Sequence, residues 1–527
     1  MSDTNYFIDK EQHQAIMGRE EGRHTGEADP MKISPKSYAY GIWLFNVNAG
    51  SGNAFIDGIY RDGFLALING LGYFKRYKKD NTFQYIKDVE NIIHAVEVSQ
   101  IRDEITNIII RYSAIKFDFA GLTFEATAEI QKEKFFRNSP SLFTDAILGH
   151  LPNHDSPVLH DVETEMYFPF QNCIASVTDE RINIKSYADL KGVCIWKDHI
   201  IKQSLTYVND FDTSQYAKFI SNVSLSQDDR VDAFRSAIGY LLHNYSSPTK
   251  GRAVIAYDEQ VAGKREPAGG TGKGIFGQAI NILRHTAIID GKKINDKSPF
   301  SYQAVTERSQ VIFFDDVRPD FDFLTLNSNL TQGWQIEHKN KPSFRFEPIE
   351  NPKTYITSNT ILNGEGTTAE RRRFIIEFSN HYSKLAAKNI EPIIHEHGSM
   401  FFTPDWSNNE WNKFLSFMLD CSKYYLNEGL RFYNLRAVNQ NKLMQKTSDD
   451  FSEWIKLQDF APEQEFDISE MFREFKATYY GEDSEFKQRT FTNWLKTFAL
   501  TKKWELKRFQ KGSGNQKNTY GKMIIRI

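Results

Sequence analysis

The stretch EPAGGTGKGIFGQAI, residues 266–280, decides the fold because it sets three glycines and a lysine before an apolar, helix-forming run. Glycines let backbone N–H groups turn inward around a phosphate, Lys273 adds a positive charge, and the helix start adds its dipole. Pro267 and Gly274 depart from the P-loop pattern G-x-x-x-x-G-K-[ST] at its first and last positions. We predict a phosphate-binding loop; the alternative is a glycine-rich turn that touches no phosphate. The predicted nucleotide contacts are Gly269, Gly270, Thr271, Gly272, Lys273 and Gly274.

Two neighbouring acids follow a strand about 40 residues further on. Residues 311–314, VIFF, have the composition of a buried strand and end in Asp315 and Asp316. Such a pair suits a Walker B site, in which Asp315 would hold Mg²⁺ and Asp316 would polarise the attacking water. The alternative is that both acids cap a turn before Pro319.

Two weaker features follow. The strand-like run at residues 355–358 ends in Asn359, which could orient the attacking water, although an Asn in this position also forms turns. Residues 371–373 are three arginines ahead of an apolar run. Arg371 or Arg372 could reach the γ-phosphate of an adjacent subunit as an arginine finger, and the alternative is a solvated basic face.

These features follow one another within about 110 residues: glycine loop, Asp-Asp strand, Thr-Ser-Asn strand and arginine cluster. Their order resembles the superfamily 3 helicase domain of phage, plasmid and poxvirus-type primase-helicases, firmly over residues 252–378 and more loosely over residues 60–385. The resemblance implies a P-loop, AAA+-like α/β motor. It also implies ATP and Mg²⁺ as cofactors, single-stranded DNA as the track and a homo-hexameric ring. Gly274 departs from the family pattern, since it removes a hydroxyl ligand of Mg²⁺.

The family also carries a DNA-gripping hairpin between the second and third motifs. Residues 333–346 resemble this hairpin, and the residues expected to contact phosphate there are His338, Lys339 and Lys341. The alternative is a surface hairpin with solvated lysines.

Residues 487–527 form a basic segment in which eleven lysines and arginines stand against Glu505 alone. The helix at 467–480, the turn at Gly481, the helix at 487–500 and a strand, turn and strand are typical of a winged helix. We predict that this module binds duplex DNA, with protein contacts as the alternative. The predicted contacts are Lys487, Arg489, Lys496, Lys502, Lys503 and Lys511, together with Gln488, Thr490 and Asn493 on the reading helix.

Composition excludes several classes of protein. The net charge of −3 gives no global sign of nucleic-acid binding, so any such surface must be local. No apolar run approaches the roughly 20 residues of a membrane span, and the N-terminus lacks the apolar core of a secretory signal. The three cysteines have neither disulfide nor zinc spacing. We therefore expect a protein of the bacterial host cytoplasm without membrane contact.

The chain is expected to be α/β with five segments. They are a flexible lead-in at 1–36, a mixed α+β module at 37–235, the ATPase domain at 236–385, a helical lid or connector at 386–448 and the winged-helix-like domain at 449–527. Within the ATPase domain, residues 274–288 are predicted to form one helix. Because no convincing priming centre stands out, we expect a separate primase. His395 and His397 would point to different sides of a helix and are not expected to bind metal.

The leading hypothesis is an ATP-dependent DNA helicase, the replicative motor of a phage or mobile genetic element. Its main rival is an ATP-gated DNA-binding initiator without processive unwinding, a hypothesis that Gly274 favours. A P-loop ATPase that remodels proteins is a third alternative, which the basic tail disfavours.

Overall fold

The structure is a computed structural model that divides into two compact units, residues 29–159 with 188–200 and residues 160–187 with 201–525. The residues that it describes are 29–48, 50–247, 249–259, 270–295, 298–364, 366–386, 390–435, 443, 446–461, 463–481, 483–502, 504–511 and 518–525.

The first unit contains a six-stranded sheet in the order β1-β2-β3-β4-β9-β8, a four-stranded sheet in the order β13-β7-β6-β5, and four helices. Its strands are β1 Met31–Ser34, β2 Ser37–Tyr40, β3 Trp43–Val47, β4 Asn53–Ile59, β5 Tyr73–Tyr77, β6 Phe83–Val89, β7 Ile92–Val96, β8 Ile115–Phe119, β9 Leu122–Ala126 and, later in the chain, β13 Ile195–Trp196. Its helices are α1 Arg61–Gly70, α2 Val98–Ile109, α3 Ala128–Leu142 and α4 Asp145–Leu148.

Regular apolar spacing explains how these helices pack. Helix α2 buries Ile101, Ile105, Ile108 and Ile109, which lie on one face because the last three follow Ile101 by four, seven and eight residues. Ile101, Ile105 and Ile109 share a core with aromatic side chains of the six-stranded sheet. Strand β1 lies inside the segment 1–36 that the sequence predicted to be a flexible lead-in; residues 1–28 of that segment lie outside the described residues.

The second unit is built around a five-stranded parallel sheet in the order β15-β16-β19-β14-β20. Its strands are β14 Ala253–Asp258, β15 Thr286–Asp290, β16 Val311–Asp315, β19 Lys353–Thr357 and β20 Arg373–Phe378. Every residue of β14 is buried, as expected of a central parallel strand covered on both faces. The described chain is therefore mixed α/β with a parallel sheet.

Helices and two smaller sheets surround this sheet. The strands are β10 Met166–Pro169, β11 Ile174–Val177 and β12 Ile182–Lys185 in one antiparallel sheet and β17 Gln335–Ile336 and β18 Phe344–Arg345 in a hairpin. The helices are α5 Gln215–Val223, α6 Asp228–Leu242, α7 Lys273–Leu283, α8 Asn327–Gln332, α9 Thr367–Arg372, α10 His381–Ala386, α11 Pro392–His397 and α12 Asn408–Glu428.

The last 80 residues add a helix–strand–helix–helix–strand–strand arrangement with its own core. The elements are α13 Asp449–Lys456, β21 Glu465–Asp467, α14 Ile468–Tyr479, α15 Gln488–Thr501, β22 Trp504–Lys511 and β23 Asn518–Ile525. The strands form a sheet in the order β21-β23-β22. Among the described residues, no helix is both long and apolar enough to cross a membrane.

Two predictions about the organisation differ from the structure. The helix predicted over residues 274–288 ends at Leu283, and Thr286–Asp290 form strand β15, since their β-branched side chains favour a strand. The two compact units divide after residues 159, 187 and 200, and not at the predicted boundary of 235. The reason is that β10, β11, α5 and α6 share one apolar core with the parallel sheet and with α12 of the predicted lid.

Candidate nucleotide site

The glycine-rich loop leads into α7 beside the carboxyl ends of the central strands. Gly272 caps the helix with a φ of 104°, a left-handed conformation that glycine adopts without strain. A Cβ at Gly272 would lie 2.7 Å from the ring of Phe219, so the backbone packs there without room for a side chain. The hydroxyl of buried Tyr355 donates to the carbonyl oxygen of Lys273 at 2.9 Å and fixes the first turn of α7 against β19. The free N–H groups of this turn can bind an anion.

The side chain of Lys273 lies between two neighbouring strand ends. Its Nζ donates to Oδ1 of Asn359 at 2.9 Å, just beyond β19, and to Oδ1 of Asp258 at 2.5 Å, at the end of β14. Lys273 is only 8% exposed, so its charge is compensated inside the protein.

Asp258 is a residue of this site that the sequence interpretation missed. It is 2% exposed, and its Oδ1 accepts hydrogen bonds from both Lys273 and the hydroxyl of Thr271, the latter at 2.5 Å. Asp258 is the last residue of β14. The available signal was an acid directly after an apolar strand, the same signal that identified Asp315.

The two predicted acids occupy the end of β16, where their environments differ. Asp315 is exposed, and its Oδ1 accepts a hydrogen bond from Thr357 at 3.0 Å. Asp316 adopts a φ of 54°, and its Oδ1 accepts a hydrogen bond from Nδ2 of Asn359 at 3.0 Å. Because Asn359 also accepts from Lys273, a continuous hydrogen-bonded path joins Lys273 to Asp316 across two strand ends.

Two further contacts hold the Asp316 turn, and neither was predicted. The hydroxyl of Thr357 accepts the backbone N–H of Asp316 at 2.7 Å while donating to Asp315. Lys292, after β15, pairs with Oδ2 of Asp316 at 2.5 Å, and this hydrogen bond raises the pKa of Lys292. The turn is therefore fixed from both neighbouring strands.

The remaining loop glycines separate into three cases. Gly269 lies outside the described residues, and Gly270 adopts a φ of 70°. Gly274, in the first turn of α7, has open space where a Cβ would stand, so a serine would fit there. Packing therefore does not explain why position 274 lacks a side-chain hydroxyl.

An exposed carboxylate at this edge suits a hard cation, because Mg²⁺ prefers oxygen ligands and keeps several of its waters. Asp315 is an exposed carboxylate of this kind, and Asp316 is the next residue in the chain. Within the described part of the chain, no group of three or more His, Cys, Asp or Glu side chains is arranged so that it could hold a metal ion. His397 instead bonds to Tyr382 at 2.7 Å and Gln215 at 3.0 Å.

The arginine cluster lies at the opposite edge of the sheet. Arg373 pairs in parallel register with Ala253, the first residue of β14, whereas Asp258 is the last. A strand of this length separates the two edges by roughly 17–20 Å. None of these arginines can therefore reach the carboxyl end of its own sheet.

The three arginines have different environments. Arg373 is buried, donates to the carbonyl of Asn363 at 2.6 Å and lies over the Phe323 ring. Arg372 donates to the carbonyls of Thr249 at 3.2 Å and Gly251 at 3.0 Å. Arg371 is exposed. Arg371 is therefore better placed than Arg372 to contact another molecule.

The hairpin β17–β18 carries two of its three predicted DNA contacts at the tip. Lys339 and Lys341 are exposed on either side of Asn340, whose φ is 60°. His338 faces the protein instead, since its ring nitrogen lies 3.0 Å from the carbonyl oxygen of Val305. Trp334 anchors the hairpin and is fully buried.

The basic residues of the C-terminal module are spread over α15 and β22. Lys487, Arg489 and Lys502 are exposed, Lys511 pairs with Glu465, and Lys503 lies outside the described residues. Gln488 donates to Ser469 at 3.0 Å, whereas Thr490 and Asn493 are exposed. A groove of about 620 Å³ lies between α15 and β22, and its lining includes Lys496, Trp504, Arg508, Phe509 and Gln510.

No protein-family profile matches the sequence, and no curated protein matches it. Among solved structures, the chain is distantly similar to the apo A form of the NrS-1 C-terminal region, at 10% identity and a TM-score of 0.38 over 88% of this chain and 98% of that one. It is also distantly similar to the JCV helicase bound to a substituted acetamide, at 12% identity and a TM-score of 0.24 over 42% of this chain and 67% of that one. Likeness at this level assigns no activity to the chain.

Proposed function

We propose that the chain is a nucleoside triphosphatase and, more specifically, an ATP-dependent DNA helicase with an AAA+-like motor of the superfamily 3 type. One observation carries this proposal: Asn359 joins Lys273, at the start of α7, to Asp316, at the end of β16, along the carboxyl edge of a parallel sheet. Ligands of open α/β sheets bind at this edge, and phosphates bind at helix N-termini.

Each residue of the site then has a chemical role. Lys273 and the N–H groups of the first turn of α7 bind the β- and γ-phosphates, and Asp315 ligates Mg²⁺. When bound, Mg²⁺ neutralises the charge that develops on the phosphate oxygens. Asp316 accepts the proton of the attacking water, and Asn359 holds Asp316 in place.

Hydrolysis in this proposal depends on a second copy of the chain. Arg371 stands at the opposite edge from Lys273 and serves a site on the neighbouring subunit, as an arginine finger does in trans. The subunits would form a ring, with a homo-hexamer as the expected form.

The DNA contacts are assigned to two separate surfaces. Lys339 and Lys341, at the hairpin tip, would contact the phosphates of single-stranded DNA without reading its sequence. The C-terminal module, with the element order of a winged helix, would bind duplex DNA through α15 and its basic side chains. Phage or mobile-element replication in a bacterial cytoplasm, with a separate primase, fits this combination.

A second function is an ATP-gated DNA-binding initiator without processive unwinding. It is favoured by Gly274, which supplies no hydroxyl ligand, and by the contact of Lys273 with Asp258. In this case the chain binds nucleotide and assembles on DNA but hydrolyses ATP slowly.

The test is steady-state ATP hydrolysis by the full chain with and without single-stranded DNA. We expect hydrolysis that DNA stimulates and that both Lys273→Ala and Asp316→Asn reduce by about 100-fold or more. Asp320→Asn is the matched control, because Asp320 is a nearby acid that is 73% exposed and pairs with Arg318. Nucleotide binding without turnover in the wild type would favour the initiator, and failure to bind nucleotide would exclude both functions.

A further inference from the structure

Asp258 has no role in the hydrolysis described above, although it is in direct contact with the phosphate-binding lysine. Its carboxylate lies at the last position of β14 and is almost completely buried. One oxygen, Oδ1, accepts hydrogen bonds from Thr271 and Lys273. The other, Oδ2, is buried and has no hydrogen-bond partner among the described residues.

Both of these donors belong to the glycine-rich segment predicted to bind phosphate. Thr271 and Lys273 have side chains that could donate to a phosphate oxygen, and the chain has no further hydroxyl at position 274. Both donors are engaged by a single oxygen of Asp258. The positive charge of the segment is therefore already neutralised within the protein.

We propose that Asp258 is the counter-ion that Lys273 exchanges for nucleotide phosphate, and that this carboxylate sets the affinity and the Mg²⁺ dependence of the site. This inference rests on the proposed nucleotide site. A phosphate must break the contact between Lys273 and Asp258, and it leaves a buried carboxylate without its partner. The phosphate charge also lies close to that carboxylate in a region of low dielectric constant.

Two consequences follow for binding. Triphosphate without a metal meets the full repulsion of Asp258, whereas Mg²⁺ neutralises part of the triphosphate charge. The wild type therefore needs Mg²⁺ for tight binding. Because the effect acts on phosphate, inorganic tripolyphosphate responds to Asp258 as ATP does.

The experiment is calorimetric titration of the full chain with Mg²⁺-ATP, with ATP in EDTA and with tripolyphosphate in EDTA. We expect Asp258→Asn to tighten binding of both metal-free ligands by about tenfold and of Mg²⁺-ATP by less. Asp320→Asn removes an equivalent charge that does not contact Lys273, and its affinities stay within about twofold of the wild type.

Thr271→Val distinguishes the effect of the Asp258 charge from the effect of a change in the position of the loop. It removes one hydrogen-bond donor to Asp258 and leaves the carboxylate in place. We expect no gain in affinity from this variant. If Asp258→Asn binds the metal-free ligands no more tightly than the wild type, or if Thr271→Val gives the same gain, Asp258 is not the exchanged counter-ion. A wild type that binds none of the three ligands overturns the nucleotide site itself, which is a different result.

A buried substitution also requires a check of folding. Circular dichroism and thermal unfolding establish whether Asp258→Asn is folded before it is titrated. If it is not, Asp258→Thr is the second variant, because threonine is neutral and keeps a hydroxyl that can accept from Lys273. The same tenfold gain is required of it, and its absence overturns the proposal.

Discussion

Charged residues lie at both edges of the parallel sheet, but their hydrogen bonds and ion pairs differ between the two edges. At the amino edge, Arg284 pairs with Asp161 at 2.9 Å and donates to the carbonyls of Leu242 at 2.6 Å and Tyr167 at 2.9 Å. At the carboxyl edge, one oxygen of Asp258 has no hydrogen-bond partner within the described part of the chain, and Asp315 is exposed. The comparison indicates that the amino edge maintains the fold and that the carboxyl edge is available for a ligand.

Several secondary-structure elements are hydrogen-bonded to one another at the amino edge. Asp161 also accepts the backbone N–H groups of Tyr167 at 2.8 Å and Asn244 at 2.6 Å, and the Arg284 guanidinium lies 4.2 Å from the centre of the Phe168 ring. These bonds join β10, the end of α6 and the end of α7. Since Asp161 and Arg284 are both buried, the loss of one leaves the other uncompensated.

The largest effect on stability is therefore expected from Arg284→Met. It leaves the Asp161 carboxylate buried without its cation, and we expect the free energy of unfolding to fall by about 3–5 kcal/mol. At the other edge, Asp315→Asn changes an exposed side chain, and we expect a change below about 1 kcal/mol. Thermal unfolding of both variants measures the difference. Equal losses of unfolding free energy in the two variants would show that the two edges contribute equally to stability.

Lys353, at the start of β19, gives a prediction that depends on pH. Burial lowers the pKa of Lys353 to about 7, while Asp161 acts in the opposite direction. Its Nζ donates to the carbonyl of Tyr245 at 2.7 Å and lies 4.5 Å from the centre of the Tyr240 ring. Between pH 7 and the ordinary lysine pKa of 10.5, the unfolded chain binds more protons than the folded chain.

The contribution of Lys353 to stability is therefore expected to rise as the pH increases from 7 to 10. We expect the wild type to gain roughly 3–4 kcal/mol relative to Lys353→Met over this range. The measurement is the unfolding temperature of both proteins at each pH, so that all other titrating groups cancel. A difference that stays constant or decreases with pH would show that the Lys353 amine is not held neutral at this edge.

Gly274→Ser tests the open edge by adding the hydroxyl that the loop lacks. The side chain has space, and serine is a better helix residue than glycine by about 0.5 kcal/mol. We expect about a tenfold increase in the rate of ATP hydrolysis, because the hydroxyl adds a ligand for Mg²⁺. Gly274→Ala is the matched control, since it stiffens the helix without a hydroxyl. If both variants change the rate equally, the missing ligand does not limit turnover.

The sequence predicted this edge better than it predicted the surrounding architecture. Lys273, Asp316 and Asn359 follow glycine or apolar runs, and the carboxyl ends of parallel strands meet at one edge, so their proximity could be inferred from order alone. Thr357 and Lys292 could not be inferred, because their contacts with Asp316 depend on the register of neighbouring strands and on the turn after β15.

Three other features escaped prediction for different reasons. The run TAIID at residues 286–290 continues the apolar character of α7, so periodicity alone did not separate the strand from the helix. The apolar faces of α5 and α6 show that both helices are buried but not which sheet covers them. The contact of Asp258 with Lys273 was hidden for a third reason, since the two residues are 15 positions apart.

The smallest effect on stability is expected from Arg371→Ala, at the same edge as Arg284. Its side chain is exposed, so we expect the free energy of unfolding to change by less than about 0.5 kcal/mol. Arg372→Ala removes hydrogen bonds to two backbone carbonyls and is expected to cost about 1 kcal/mol or more. Thermal unfolding measures both.

The role of the exposed Arg371 is tested by measuring ATP hydrolysis. Arg371→Ala is expected to abolish ATP hydrolysis, whereas mixing it with Lys273→Ala restores part of the activity. A contact has both residues intact when the Arg371→Ala subunit supplies Lys273 and the Lys273→Ala subunit supplies Arg371. A residue acting within its own subunit gives no such recovery, and the roughly 17–20 Å between the edges excludes that arrangement for Arg371. Absence of recovery in the mixture would show that Arg371 does not act on the neighbouring subunit, and hydrolysis at the wild-type rate by Arg371→Ala alone would show that it is a solvated side chain.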